Sequence, residues 1–84
     1  MRTKARGAET KIYKNMAEFI SARILSARKE KGLSQSQLAK AAKLSVSFMC
    51  EIEHGKVLPS LIVYSELCRL LEIEPVIPFF TEQQ

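Results

Sequence analysis

Ser34-Gln35-Ser36-Gln37-Leu38-Ala39-Lys40-Ala41-Ala42-Lys43-Leu44-Ser45-Val46-Ser47-Phe48-Met49-Cys50-Glu51-Ile52-Glu53-His54-Gly55 is the stretch on which the fold turns. Ser34 stands three residues before Gln37, the spacing of a capping box, in which the serine hydroxyl accepts the Gln37 N–H while the Gln37 side chain reaches back to the cap. The pattern predicts a short helix from about Gln35 to Ala42 that buries Leu38 and Ala42, with Lys43-Leu44 as the turn. Ser45 is the next cap, and Val46 to Glu53 follows as a second helix with Met49 and Ile52 on its buried side. Gly55 closes it, free to take the left-handed conformation that the position after a helix end favours.

Working outward, Asn15 to Lys31 carries Met16, Phe19, Ile20, Ala22, Ile24, Leu25 and Ala27 mostly at three- and four-residue steps, which predicts an amphipathic helix ended by Gly32. On the other side Pro59-Ser60 opens a helix over Leu61 to Leu71 with Leu61, Tyr64, Leu67, Cys68 and Leu71 on its inner face. Glu74-Pro75 starts a last short turn or helix through Phe80, since proline suits a first helical position. No strand pattern of length, internal repeat or low-complexity segment is present. The expected fold is all-α: a compact five-helix domain over residues 15–84, preceded by a flexible basic arm over residues 1–14 that is either a solvated tail or a phosphate contact.

The chain has 84 residues, 46% hydrophobic and 26% charged, the composition of one ordinary globular domain. A domain of this size buries only ~60–65% of the surface its unfolded chain exposes, so its core is thin. Catalytic options are few. There is no Asp, one His (His54) and three Gly (Gly7, Gly32, Gly55), which excludes a Ser-His-Asp triad, a Walker loop and a Rossmann fingerprint. Glu51 and Glu53 lie two apart on a helix and do not face each other, and the chain is read as no enzyme. Cys50 and Cys68 with a single His cannot supply a four-ligand zinc site, so neither metal nor cofactor is expected, and free thiols of this kind suit a reducing cytoplasm. No apolar stretch approaches the ~18 residues of a membrane span, and no signal-peptide core follows the basic N-terminus. The expected setting is cytoplasmic, with no membrane partner.

The formal charge of +4 is unevenly placed. Residues 1–14 carry Arg2, Lys4, Arg6, Lys11 and Lys14 against Glu9, and residues 28–56 carry Arg28, Lys29, Lys31, Lys40, Lys43 and Lys56 against Glu30, Glu51 and Glu53. From Val57 onward the balance reverses, with Arg69 against Glu66, Glu72, Glu74 and Glu82. A basic N-terminal two-thirds suits one face for a polyanion.

Two short helices about a tight connection on a basic segment outline a helix-turn-helix over residues 35–54. The string from Gly32 to Ala39, then Leu44 to Met49, then Ile52-Glu53-His54-Gly55-Lys56 and Pro59-Ser60-Leu61 resembles the Xre family of phage-repressor-type (Cro-like) DNA-binding proteins, of the lambda-repressor-like fold. The resemblance covers about Ile20 to Phe80. It implies that Arg28 and Glu53 form a structural ion pair between the first and third helices. Gln35 takes the family's position at the start of the first motif helix, where it meets a phosphate and buttresses the recognition helix. Val46, Ser47, Cys50 and Glu51 are implied to read bases in the major groove, with Lys40, Lys43 and Lys56 as phosphate contacts. Phe48 holds the family's aromatic position and packs under the helix.

Three departures stand out. Lys43 occupies a turn position where the family often has Gly, which implies either a strained left-handed residue or a different turn. The recognition helix lacks Arg, Asn and Gln, the residues that read G and A by paired hydrogen bonds, so much of the specificity is expected from DNA shape, from half-site spacing, or from the basic arm entering a minor groove. Leu71-Glu72-Ile73 replaces a common Leu-Gly-Val end.

The family binds two-fold operators as dimers, and an uncharged apolar set, Ile62, Val63, Leu70, Val76, Phe79 and Phe80, within about residues 60–80, is the expected homodimer interface. At this length no ligand-sensing domain, and so no small-molecule ligand, is expected. The chain therefore resembles small stand-alone regulators: the controller proteins of restriction–modification systems, or small phage repressors. An antitoxin, or a protein-binding adaptor of the same fold, is the alternative.

Overall fold

A run of residues that favours helix, with apolar side chains every third or fourth place and no proline, makes the longest element of the chain. The computed structural model describes residues 6–78, and the side chains of 11–78. α1 spans Arg6–Glu30, α2 Gln35–Ala41, α3 Val46–Glu53 and α4 Leu61–Leu71. Ala17, Ile20, Ile24 and Ala27 form the buried stripe of α1, at steps of three and four residues. α3 packs on α1 and α2, and α4 closes the other side against the same two helices.

Local chemistry explains the boundaries. Ser34, Ser45 and Ser60 cap α2, α3 and α4, each hydroxyl accepting the backbone N–H three residues on. At Ser34 the box is complete, the Gln37 Oε1 accepting the Ser34 N–H at 2.8 Å. Each helix ends in the same way, on a left-handed residue: Gly32, Lys43, Gly55 and Glu72. The next residue then bonds back to the helix, as in Leu33 N–H to Arg28 O, Leu44 N–H to Ala39 O, Lys56 N–H to Glu51 O and Ile73 N–H to Cys68 O. Two of these ends lack the glycine such a backbone favours. Lys43, at φ 59°, resolves the question its position raised: the turn keeps the usual geometry and a lysine bears the strain.

The core joins Ile20, Ile24, Leu38, Ala39, Met49, Ile52, Tyr64, Leu67, Cys68 and Leu71, with Phe19, Leu33, Leu44 and Phe48 packed on its edge. Burial pushes the Cys68 thiol pKa up, so this cysteine sits in the core as a small protonated hydrophobe.

The structure corrects several sequence expectations. α1 begins at Arg6 and not at Asn15, so residues 6–14, assigned to the arm, are helix. Ile12 is half-buried upstream of that boundary, so the apolar stripe continues past Met16 and Ala17. The Tyr13 hydroxyl also accepts the Leu58 N–H at 3.1 Å, tying the extension to the α3–α4 loop. The chain has four helices among the described residues, where five were expected. No helix forms over 74–78. Instead the Tyr64 hydroxyl donates to the Val76 carbonyl at 2.6 Å, and Arg23 donates to the Glu74 carbonyl and, through Nε at 3.2 Å, to the Tyr64 hydroxyl. Pro78 disfavours a helical Ile77 as well. Leu61, expected on the inner face of α4, is 55% exposed. Buried Pro59 and half-buried Leu58 occupy the space at that end of α4.

Candidate nucleic-acid interface

α3 is a helix with one face committed to the core and one left free. Met49, Ile52 and Glu53 turn inward and are buried. Val46, Ser47 and Glu51 are exposed and Cys50 is half-buried. These four stand one turn apart in pairs on the outward side, so the structure brings together the residues expected to read bases. Val46 offers a methyl-sized apolar contact, Ser47 a hydroxyl and Glu51 an acceptor of the kind that suits cytosine N4. Cys50 Sγ lies 3.4 Å from His54 Nδ1, and that nitrogen is also 2.8 Å from the Cys50 carbonyl.

Lys40 near the end of α2, Lys43 in the turn and Lys56 after α3 are all exposed. Cations so placed border both ends of α3, the arrangement a phosphate backbone on either side of a groove demands.

The orientation of α3 is fixed from behind. Arg28 and Glu53 make the implied ion pair, and make it bidentate: Nε to Oε2 at 2.6 Å and Nη2 to Oε1 at 2.9 Å. Their side chains are 12% and 2% exposed. A third nitrogen of Arg28 donates to the Leu33 carbonyl at 2.8 Å, which ties the α1–α2 connection to the same pair. Burial alone would push the Glu53 carboxyl up, but hydrogen bonds from Arg28 and Gln35 hold it below the usual glutamate range. The same pairing pushes the Arg28 guanidinium further up.

Gln35 was expected both to meet a phosphate and to buttress the recognition helix, and its side chain makes the second kind of contact. Its half-buried amide donates to Glu53 Oε1 at 2.9 Å, so the side chain engages the back of α3. Ser21 was not singled out in the sequence, yet its hydroxyl donates to the Glu53 carbonyl at 2.6 Å. Its seven-residue spacing from Arg28, two turns along one face of α1, is the signal that marks it.

The expected interface set divides. Ile62 is 81% and Val76 42% exposed, but Val63 and Leu70 are half-buried and packed on the core. Leu61 and Ile77 join the exposed apolar surface instead. Phe79 and Phe80 lie outside the described residues. No group of three or more His, Cys, Asp or Glu is placed to hold a metal ion among the described residues, and no helix there is long and apolar enough to cross a membrane.

A capped pair of short helices, the second locked by a buried ion pair and presenting a polar face between lysines, defines a DNA-binding helix-turn-helix unit of the kind found in transcriptional regulators. The chain belongs to the helix-turn-helix family, whose model it matches over residues 24–77. It is 35% identical over 65 residues to the ImmF control region 10 kDa protein of Bacillus phage phi105, covering 77% of this chain and 72% of that one. It is 42% identical over 57 residues to the uncharacterized HTH-type transcriptional regulator YazB of Bacillus subtilis, covering 68% and 83% respectively. Among solved structures, the restriction-modification controller protein C.AhdI from Aeromonas hydrophila is similar at TM-score 0.69 and 32% identity, over 75% of this chain and 91% of that one. The clp gene regulator ClgR from Corynebacterium glutamicum is similar at TM-score 0.69 and 27% identity, over 71% of this chain and 64% of its own length. This is an HTH-type transcriptional regulator, a class whose work is binding and not catalysis.

Proposed function

We propose that this protein binds double-stranded DNA sequence-specifically as a homodimer on a palindromic operator, in the manner of a restriction–modification controller protein or a small phage repressor. The observation that carries this reading is α3 itself, rigidly held through Glu53 and presenting Val46, Ser47, Cys50 and Glu51 between Lys40, Lys43 and Lys56. Val46, Ser47, Cys50 and Glu51 meet base edges, and the three lysines meet phosphates. Gln35 acts chiefly through Glu53.

Dimerisation is supported by the exposed apolar side chains Leu61, Ile62, Val76 and Ile77, which a partner surface would cover. A dimer places two α3 helices on half-sites about one helical turn (~34 Å) apart. The likeness to a restriction-modification controller and to a phage control-region protein favours a regulator of that scale.

The absence of Arg, Asn and Gln from α3 favours a second reading, an antitoxin or protein-binding adaptor that uses the same apolar surface for another protein. Selection of sites from random duplex DNA at two salt concentrations, with the mass of the bound species measured, separates the two. A two-fold symmetric site bound by a dimer supports the regulator. Weak, salt-sensitive binding with no enriched sequence supports the alternative.

A further inference from the structure

We propose that the N-terminal extension of α1 is a second DNA-contacting element, in which Lys14 and Lys11 meet backbone phosphates beside the segment that α3 reads. This rests on the regulator reading above.

Residues Arg28, Leu25, Ser21, Glu18, Lys14 and Lys11 follow one another on α1 at alternating three- and four-residue steps, which places them on one face of the helix. The C-terminal half of that face grips α3. Arg28 holds the Glu53 carboxylate at 2.6 Å and Ser21 the Glu53 carbonyl at 2.6 Å. Glu18 and Ser21 close over Gly55, where an added Cβ would stand 3.7 Å from Glu18 Cγ. The same face then runs on past the end of α3. Lys14 lies roughly 10 Å and Lys11 roughly 15 Å beyond Ser21 along the axis, at 1.5 Å per residue.

Those two lysines are held in place. Between them Tyr13 accepts the Leu58 N–H at 3.1 Å, and Leu58 is two residues from exposed Lys56. Buried Ala17 and half-buried Ile12 and Met16 seat the extension on the body of the domain. Lys11 and Lys14 are exposed, and neither is in an ion pair among the described residues. The extension is thus a preformed cationic edge, tied through Tyr13 to the loop that carries Lys56, just past the C-terminal end of α3.

Duplex DNA fits this edge by charge. It offers about one negative charge per 1.7 Å of axis, and lysines already fixed on a helix meet it without the ordering cost of a loose arm. Glu18, exposed on the same face, is the one carboxylate in the row, and it opposes the contact.

The test is a salt titration of duplex binding by Lys11→Ala/Lys14→Ala, using a mixed-sequence duplex and the site enriched by the selection above. Alanine preserves the helix, and a thermal melt checks this. Two lost phosphate contacts per protomer lower the slope of log Kobs against log salt by ~1.8 for each bound protomer, or ~3.6 for a dimer on its two-fold site. Tyr13→Phe keeps the ring and drops the bond to Leu58. It lowers the slope by less, and adds nothing in the lysine-free background, as befits a positioning residue. Glu18→Gln tightens binding.

An unchanged slope in the double-lysine variant, where the wild type selects a site, overturns this inference alone. So does a change in self-association with the slope intact, which assigns the lysines to the acidic Glu66, Glu72 and Glu74 of a second copy. A wild type with no salt-dependent duplex binding overturns the regulator reading together with this one.

Discussion

Replacing Arg28 with alanine removes the bidentate partner of a carboxylate whose side chain is 2% exposed. What remains to Glu53 is one neutral donor, the Gln35 amide at 2.9 Å, because the Ser21 bond goes to the main-chain carbonyl. Stranding a buried charge in this way costs about 3–5 kcal/mol. At roughly 0.05–0.15 kcal/mol per residue, a domain of this length holds about 4–13 kcal/mol in all, so the variant loses a large share of its stability. Its melting temperature falls by on the order of 20 °C, given roughly 4–8 °C per kcal/mol in a small domain. The pH dependence makes the test specific. In the wild type Glu53 titrates below the ordinary glutamate value, so its contribution is present above that value and is lost as pH falls through the folded pKa. In the variant burial is opposed only by the Gln35 bond and the nearby His54, and the folded pKa rises above the unfolded one. The carboxyl then takes up a proton more readily folded than unfolded, and the penalty shrinks on acidification. Urea unfolding followed by circular dichroism between about pH 7 and pH 5 should show the gap between wild type and variant narrowing as pH falls. Adding Glu53→Gln, which removes the stranded charge, should recover part of the loss at neutral pH. A gap that stays constant with pH, or a double variant no better than Arg28→Ala, refutes the reasoning.

Lys43→Gly should raise stability by about 0.5–1 kcal/mol, the left-handed strain relieved less the entropy glycine adds to the unfolded chain; a loss measured by thermal melting would show that the lysine side chain contributes packing. The same change should lower the salt slope of duplex binding by about 1 per protomer, about 2 for a bound dimer, if Lys43 meets a phosphate. Tyr64→Phe keeps the core ring but removes the hydroxyl bonded to Val76 and Arg23, costing about 1 kcal/mol and speeding amide exchange at Val76 and Ile77; unchanged exchange would mean the segment is held otherwise. Glu51→Ala should alter base preference at one symmetric operator position, read by repeating the selection, and a uniform loss across all sites would remove Glu51 from the base-reading set.

Helix boundaries set by neighbours in the sequence were legible: the Ser34 box with Gln37, the caps at Ser45 and Ser60, and the stops at Gly32 and Gly55 each act within a few residues. The Arg28–Glu53 pair was legible only through the family resemblance, since no local period links positions 25 apart. The start of α1 was missed because a run of basic residues outweighed Ile12, which continues the apolar period four residues upstream of Met16. The extra helix after Pro75 was expected on a sound local rule, that proline suits a first turn. It failed because Tyr64 and Arg23, from two other helices, bind the carbonyls of Val76 and Glu74. Val63 and Leu70 look like surplus apolar residues in a helical period, and only the packing of α4 against α1 and α2 shows them half-used by the core. For Gln35 the resemblance implied two roles, a phosphate contact and a buttress for the recognition helix, and the bond of its amide to Glu53 displays the second.

The same wiring limits how this protein can choose its site. Glu53 takes bonds from Arg28 on α1 and Gln35 on α2 at its carboxylate and from Ser21 at its carbonyl, while Met49 and Ile52 seal the inner face. A helix held at its C-terminal end from two directions cannot re-aim to suit a sequence. Its outward face carries one charged acceptor, a hydroxyl, a thiol and a small apolar group, with none of the side chains whose paired bonds to a base are worth about 1–3 kcal/mol each. Recognition that is rigid on the protein side and sparse in direct contacts shifts discrimination to the cost of fitting the duplex to fixed lysine positions, a cost that varies with base steps the protein never touches. On the reading proposed above, changing Val46, Ser47 or Glu51 therefore alters a small part of the binding energy without disturbing the fold, whereas changing Arg28, Gln35 or Ser21 disturbs the aim of every contact α3 would make.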